Sequence, residues 1–424
     1  MPAKFLPTLH RYWSVLVATA VLLPHALLFD FVNDDAYISF RYAQNLARHG
    51  ELVFNLGERV EGFTNFLWTV LLAGGIKLGV SPVVSSRFLG VAFAIGTLAV
   101  TVRLSLRLDA ERPSPFHALA PLGLACTGAF ACWATGGLET QLFTFRVLLG
   151  VERLLAEINS GRGFASGAIF ALAAMTRPEG IFLFGLTVGF RLLRNLLTER
   201  RWRPHPHDIA SVLAFVAIFF PYFVGRWRYF GWPFPNTFYV KAAGGQGTIA
   251  LGLFYVRRFI EDHNVLLLGL LVFAGWPSIT DRRRRDLFWL ATMVMAAFAV
   301  YVVKVGGDFM GMWRFVLPVM PLGAIVVQEA VRRIGRRLTP LVPRPALAAA
   351  LLAFAGAFIA GRIKVSQAGA MVGSEQGIDS PGYLKHYVEE RIPVGVWLGQ
   401  HARPSDLASV GGAGVIPYYS GLRS

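Results

Sequence analysis

Long apolar runs recur along almost the entire chain, and they constrain its fold more than any other feature of the sequence. A helix needs about 20 apolar residues to cross the hydrocarbon core of a bilayer. About eleven runs approach this length, at residues 13–29, 87–104, 116–134, 138–156, 164–176, 180–197, 209–225, 264–280, 286–303, 313–331 and 344–361. We therefore predict an all-α polytopic membrane protein.

The composition agrees with this prediction, since 54% of the 424 residues are hydrophobic and 16% are charged. Much of the formal net charge of +16 comes from short arginine-rich tracts between apolar runs, at 103–112, 191–203, 281–285 and 332–337. Cytoplasmic loops of membrane proteins carry such an excess of Lys and Arg. The charge therefore indicates membrane topology, and we predict no nucleic-acid partner.

Counting crossings backward from these tracts places the other polar motifs on the opposite, outer face. The apolar run at 63–79 is the exception, because counting it as a full crossing inverts the first two motifs relative to the rest. It is short and contains Asn65 and Lys77, so we predict a re-entrant or tilted juxtamembrane element there. The result is about eleven transmembrane helices in the cytoplasmic membrane, with juxtamembrane helices in the first outer loop and the motifs facing the periplasm or exterior.

The composition changes to that of a soluble protein beyond residue 361. We therefore divide the chain into a transmembrane domain, 1–361, and a C-terminal extramembrane segment, 362–424. A helix is predicted around 381–401, and residues 406–421 resemble the first strand and turn of an α/β unit. About 60 residues make a marginal domain, so this small α/β segment is either a docked appendage or a truncated end.

Two adjacent carboxylates, Asp34 and Asp35, closely follow the first apolar run. One interpretation is structural: Asn33 or Asp34 caps a short amphipathic helix that lies along the membrane interface and ends at Gly50. The other is chemical: partial burial and a like-charged neighbour raise the pKa of one carboxylate, which then acts as a general base. The sequence leaves both interpretations open.

Further acids occur near the outer ends of predicted spans. Glu139 follows two glycines that allow close backbone approach, and an acid within a membrane segment is a candidate functional residue. Glu179 stands near Arg177, and Asp308 precedes Arg314. Each of these two pairs is either a local ion pair or part of a site.

Cations on the predicted outer face need an explanation other than topology. Arg59, Arg177, Lys241 and Arg314 all fall there. A bound phosphate would account for them, because Arg and Lys neutralise phosphate oxygens. For each one, a snorkelling or surface role is the alternative.

The segment PNTFYVK adds Asn236 and Tyr239, which suit either a sugar face or an interfacial aromatic belt. The sequence contains no nucleotide-binding loop, dinucleotide fingerprint or zinc motif. Soluble nucleotide chemistry is therefore unsupported.

The motifs, taken in chain order, resemble those of the C-type membrane glycosyltransferases, which have the GT-C fold. They are NDDAYISFRYAQNLARHGELVFNLGERVEGFTNFLW, GLET, TRPEG, PNTFYVK, GGDFM, WRFVLP and GAGVIPYYSG. Nearly the whole chain is similar to the actinobacterial terminal arabinofuranosyltransferases and, more distantly, to lipid A aminoarabinose transferases and protein O-mannosyltransferases. The actinobacterial enzymes have a larger C-terminal soluble domain, so acceptor recognition is expected to differ.

This resemblance implies an inverting hexosyl- or pentosyltransferase that moves a sugar from a polyprenyl-phosphate donor, reached through the membrane lipids, to an envelope glycan, lipid or protein acceptor. Asp34 or Asp35 would be the catalytic base, with Glu139 as a second catalytic acid. Some relatives bind a divalent metal (Mg, Mn or Ca), for which the same three acids are the candidate ligands. The candidate substrate-binding residues are Arg59, Arg177, Glu179, Asn236, Tyr239, Lys241, Asp308 and Arg314.

Two other functions are compatible with the sequence. The first is a transporter or flippase for a lipid-linked sugar, and the second is a non-catalytic scaffold for envelope assembly. Transporters usually carry their charges near the membrane midplane and often contain inverted repeats. The acids predicted here cluster at one face instead, which favours the enzyme.

Overall fold

The computed structural model describes residues 5–242, 247–275, 281–338 and 343–424, and it is mostly helical. The helices are α1 (Phe5–Leu27), α2 (Asp34–His49), α3 (Phe66–Lys77), α4 (Pro82–Leu108), α5 (Leu119–Ala125), α6 (Gly128–Thr135), α7 (Thr140–Ser160), α8 (Ala165–Ala174), α9 (Glu179–Glu199), α10 (Pro206–Phe230), α11 (Asn236–Ala242), α12 (Gly247–Asp262), α13 (Val265–Gly275), α14 (Arg282–Val305), α15 (Met320–Leu338), α16 (Arg344–Ala370), α17 (Pro381–His401) and α18 (Val415–Ser420). Two 3₁₀ turns, Pro115–Ala118 and Leu317–Val319, and a hairpin of β1 (Ser374–Glu375) and β2 (Ile378–Asp379) complete the described elements.

Most of the predicted apolar runs coincide with helix. The run at 313–331 is helical from residue 317 onward, first as a 3₁₀ turn and then as α15, and the run at 264–280 extends beyond the described residues. Within the described ranges, α4, α9, α10 and α14 are long and apolar enough to cross a membrane. The run at 116–134 is broken, since Pro115–Ala125 and Gly128–Thr135 meet at 60° and together pass as a fifth candidate. The protein is thus a multi-pass membrane protein, and the number of eleven crossings stays a prediction.

Helix α3 occupies most of the ambiguous run at 63–79. Its 12 residues extend about 18 Å at 1.5 Å per residue, which is less than the ~30 Å hydrocarbon core. The N–H of Leu67 near its start donates to the carbonyl of Met175 at 3.0 Å, and Gly75 near its end packs closely against Ser85 of α4. A re-entrant or juxtamembrane helix is compatible with this length.

The arginine-rich tracts converge at one end of the helices. Arg284 from the tract at 281–285 pairs with Asp109 at the end of α4 and, at 2.8 Å, with Glu329 of α15. Arg332 from the last tract approaches the same Asp109 at 3.3 Å. Arg282 reaches Glu199 of α9 at 2.8 Å. These ion pairs bring all four tracts together, as the predicted topology requires of loops on one side of the membrane.

The C-terminal segment differs from its prediction in part. The predicted helix at 381–401 is α17, and its start is capped by Ser380. The predicted strand over 406–421 is wrong, because no named strand forms there and Val415–Ser420 is helix α18. Val415, Tyr418 and Tyr419 have the i, i+3, i+4 spacing of one helix face, and their side chains pack against the hydrophobic core.

Candidate active site

Helix α2 carries the two adjacent carboxylates at its N-terminus. Asn33 is its N-cap, since its side chain accepts a hydrogen bond from the N–H of Asp35 at 2.9 Å. Gly50 ends the helix with a φ of 72°, in the left-handed conformation that favours glycine. The predicted capping interpretation is therefore correct. It does not exclude the chemical one, because capping by Asn33 leaves both carboxylates at the first turn.

The Asp34 carboxylate lies against the C-terminal end of the chain. The backbone N–H groups of Gly414 and Val415 donate to it at 3.2 and 2.9 Å. Burial raises the pKa of Asp34, while these two hydrogen bonds and the charge of Arg391 act in the opposite direction. Asp34 is half-buried and held in a defined orientation.

Asp35 points to a different side of α2, about 100° around the helix axis from Asp34. It lies one turn before Ser39, so these two side chains share a helix face. Ser39 donates to the side-chain oxygen of Asn65 at 3.2 Å, and the Asn65 amide donates to Glu139 at 2.8 Å. Asp35 therefore stands on the face that leads to the Glu139 cluster.

Glu139 and Arg177 form the centre of a buried charged cluster. Arg177 donates to Glu139 at 2.9 Å and to Glu179 at 2.8 Å. Tyr301 also donates to Glu179, at 3.1 Å. Arg177 thus joins the acid of the GLET motif to the acid of its own TRPEG motif. A guanidinium that bridges two carboxylates offsets much of the cost of burying them.

Asp308 and Arg314 form a second buried ion pair next to this cluster. The Arg314 Nε donates to Asp308 at 2.6 Å. The guanidinium lies 5.5 Å from the ring centroid of Trp133 and 5.3 Å from that of Phe315. Arg177 lies 5.3 Å from the same Phe315 ring. Two buried cations from distant motifs therefore contact one aromatic side chain.

The remaining candidates gather around the loop between α2 and α3, which is the predicted first outer loop, and around the end of α10. Arg59 lies over the Tyr229 ring at 4.9 Å. The N–H of Asn236 donates to the carbonyl of Glu61 at 3.0 Å, while the side chains of Asn236 and Tyr239 are exposed. Lys241 belongs to α11, and its side chain lies outside the described part of the chain.

Two residues that the sequence did not single out connect these segments. Glu61 pairs with Arg226 of α10 at 2.5 Å, and both side chains are buried. Burial raises the pKa of Glu61 to about 7, although Arg226 opposes this. Arg226 also donates to the carbonyl of Pro233, which fixes the start of the loop before α11. The sequence did contain a signal for Glu61, because it is the acid of the RVEGFTNF motif and stands near the candidate Arg59.

The predicted metal site does not fit the residues present. Among the described residues, no group of three Asp, Glu, His or Cys side chains is arranged to hold a metal ion. The two oxygens of Glu139 accept from Arg177 and Asn65, and Asp34 accepts backbone N–H groups. A guanidinium occupies the position beside Glu139 that a cation would need. In this arrangement Asp34, Asp35 and Glu139 do not form such a group.

Comparison with known proteins agrees with the resemblance inferred from the motifs. No protein-family profile matches the chain. The chain is 29% identical to a terminal β-(1→2)-arabinofuranosyltransferase of Corynebacterium glutamicum and 28% identical to one of Mycobacterium tuberculosis, over 71% and 66% of its own length. These alignments cover 48% and 49% of the relatives, so the chain spans about half of their length.

The fold is similar to that of ArnT from Cupriavidus metallidurans. The structure of ArnT bound to undecaprenyl phosphate superposes with a TM-score of 0.62 over 97% of this chain and 84% of ArnT, at 15% identity. The apo structure of ArnT gives the same TM-score over 96% of this chain and 84% of ArnT, again at 15% identity. The fold is thus ArnT-like, as the resemblance led us to expect, and the chain is a distant sequence relative of the terminal arabinofuranosyltransferases.

Proposed function

We propose that this protein is a membrane glycosyltransferase that moves a sugar, with a pentose such as arabinofuranose as the first candidate, from a polyprenyl-phosphate donor to a hydroxyl of an envelope acceptor. The observation that carries the proposal is the contact of Arg177 and Arg314 with one Phe315 ring. The cluster that contains Arg177 is linked through Glu139 and Asn65 to the helix bearing Asp34 and Asp35. The proposed transfer requires cations that stabilise the phosphate leaving group and a base that accepts the proton of the acceptor hydroxyl, and these residues supply both.

The reaction would proceed by direct displacement at the anomeric carbon. Asp34 accepts the proton of the acceptor hydroxyl as the new carbon–oxygen bond forms, because its raised pKa makes it a stronger base than an exposed aspartate. The bond between the sugar and the phosphate oxygen breaks, and the polyprenyl phosphate leaves with the electron pair. Arg177 and Arg314 stabilise the charge of this leaving group. The anomeric configuration inverts.

The ion pairs of these arginines are part of this proposal. Each guanidinium already has a carboxylate partner, Glu139 and Glu179 for Arg177 and Asp308 for Arg314. These acids hold the donors in a fixed orientation, so that little reorganisation is needed when the phosphate arrives. Glu139 has this positioning role in our proposal, in place of the second catalytic acid suggested by the sequence.

Arg59, Asn236, Tyr239 and Lys241 are proposed as the sugar and phosphate contacts on the other side of the donor. The pairing of Glu61 with Arg226 brings their two segments together. We further propose about eleven crossings with the site at the outer face, since the arginine-rich tracts meet at the opposite end. The lipid tail would enter laterally from the bilayer.

The experiment is an assay of sugar release and transfer by the purified protein in nanodiscs, with polyprenyl-phosphate arabinofuranose as donor and a panel of other polyprenyl-phosphate sugars. Asp34→Asn is expected to lose about 10²- to 10⁴-fold of the activity, the usual contribution of a general base. Glu389→Gln, a change of an exposed acid on α17, is the matched control and is expected to match the parent.

Three outcomes would contradict the proposal in different ways. Equal activity of Asp34→Asn and the parent would remove Asp34 as the base, and Asp35→Asn would then test its neighbour. If the parent releases no sugar from any donor, the proposal that the protein is a glycosyltransferase is contradicted. Movement of the intact donor across a liposome membrane would instead support the transporter.

A further inference from the structure

The last residues of the chain dock directly on helix α2. We define the cap segment as residues 411–424. Besides the hydrogen bonds from Gly414 and Val415 to Asp34, Arg41 of α2 donates to the carbonyl of Pro417 at 2.5 Å and to that of Leu422 at 2.8 Å. The cap segment is therefore attached to α2 by polar contacts at both of its ends.

Aromatic packing reinforces this docking. The ring centroid of Tyr37, one turn after Asp34 on α2, lies 5.4 Å from that of Tyr418 and 5.8 Å from that of Tyr419. Val415 is completely buried. Arg423 pairs with Glu58 of the first outer loop. The cap segment thus fills a defined position over the N-terminal half of α2.

Two glycines allow the backbone of the cap segment to approach Asp34. A Cβ at Gly414 would lie 1.9 Å from the backbone oxygen of Asp34 and 2.7 Å from its carboxyl carbon. A Cβ at Gly412 would lie 2.4 Å from the Tyr387 hydroxyl and 3.1 Å from Asp34 Oδ2. A Cβ at Gly411 would meet nothing within 4 Å. Close approach therefore requires glycine at 412 and 414, and not at 411.

We propose that residues 412–415 are a positioning element of the active site, which orients the Asp34 carboxylate through two backbone N–H groups and shields it from water. This inference rests on the proposed function, in which Asp34 is the base. It assigns to the C-terminal end of the chain a direct part in the chemistry of a residue about 380 positions away.

The shielding has a consequence for the basicity of Asp34. Burial is the largest influence on the pKa of Asp34, and it raises that pKa in spite of the two hydrogen bonds from the cap segment. The other charged or titratable groups near Asp34 are its neighbour in the chain, Asp35, and, on α17, Arg391 and Tyr387, whose hydroxyl lies close to Gly412. Displacement of the cap segment would expose Asp34 to water but leave these groups in place, because they belong to α2 and α17. We therefore expect such a displacement to return the pKa of Asp34 toward its ordinary value.

The test compares Gly414→Ala with its matched control, Gly411→Ala, in the full chain. The first change forces the cap segment away from backbone atoms of Asp34, whereas the second places a methyl group in open space. We expect Gly414→Ala to lower kcat by about 10- to 100-fold, the scale of a small misplacement of a catalytic group, with KM for the donor within about 3-fold of the parent. The acidic limb of its pH–rate profile should move to lower pH.

The pH profile separates positioning from loss of folded protein once each rate is divided by the folded fraction of the variant measured at the same pH. If Gly414→Ala does not fold, Gly412→Ala takes its place, since the clash there is with the end of the Tyr387 side chain. Parental kcat and pH profile in the variant used would overturn this inference alone. An equal loss in Gly411→Ala would overturn it as well, whereas an inactive parent would contradict the proposed function itself.

Discussion

Glu61 is a buried carboxylate whose pKa of about 7 lies well above its ordinary value of 4.5. The folded protein therefore holds the Glu61 proton more tightly than the unfolded chain does. This contribution to stability is fully present below about pH 4.5 and is lost as the pH rises through 7. We predict that the unfolding temperature of the parent falls between about pH 5 and pH 8, and that Glu61→Gln removes this part of the pH dependence.

The measurement is a set of thermal unfolding curves at several pH values in one detergent. Glu51→Gln serves as the control, because Glu51 is an exposed acid of the same loop. It should keep the slope of the parent. Parallel curves for the parent and Glu61→Gln would show that Glu61 does not titrate in this range.

At the scale of single residues, the sequence predicted contacts that are local in the chain. The capping of α2 by Asn33 and its end at Gly50 follow from helix-end preferences. The pairing of Asp308 with Arg314 follows from a spacing of six residues. Glu61 and Arg226 are 165 residues apart, and no periodicity connects them. Such a pair depends on helix packing, which one sequence does not reveal.

At the scale of elements, the packing of α8 on α10 depends on a glycine. A Cβ at Gly167 would lie 1.8 Å from the carbonyl oxygen of Ser211. We predict that Gly167→Ala separates the two helices and destabilises the protein by about 1–3 kcal/mol, the usual cost of overpacking. The fall is measurable as a lower unfolding temperature. Gly185→Ala, on the exposed side of α9 with nothing within 4 Å, should unfold like the parent, and a similar loss in both variants would contradict the packing argument.

Elements were predictable where hydrophobic periodicity alone decides them, as in the long helices α4, α9, α10 and α14. The prediction was wrong at 406–421, where small and apolar residues follow one another in a pattern similar to that of a β-strand. Helix α18 forms there instead. The N–H groups of Gly414 and Val415 at its start donate hydrogen bonds to Asp34, which is distant in the sequence. Tertiary contacts can override local preference in so short an element.

At the scale of the whole molecule, charge separates the two ends of the helical body. The arginine-rich tracts are joined to one another by pairs such as Arg284–Glu329 and Arg282–Glu199. The cluster around Arg177 and the cap segment on Asp34 gather the other polar motifs. In the topology we propose, the positive-inside rule puts the first group in the cytoplasm and the second outside. This grouping was predictable from the order of tracts and motifs, whereas the docking of the cap segment was not.

The same arrangement predicts which positions are accessible from each side of the membrane. In a background with Cys126 and Cys132 replaced by Ala, we expect a membrane-impermeant thiol reagent to label Thr64→Cys, Ser81→Cys and Ser405→Cys from outside intact cells. Thr64 and Ser81 flank α3, and all three positions are exposed. Ser160→Cys, exposed at the end of α7, should be labelled only after the cells are opened. Because a helix that crosses the membrane separates its two flanks, labelling of Thr64→Cys and Ser81→Cys from opposite sides would make α3 a full crossing and contradict the count of eleven.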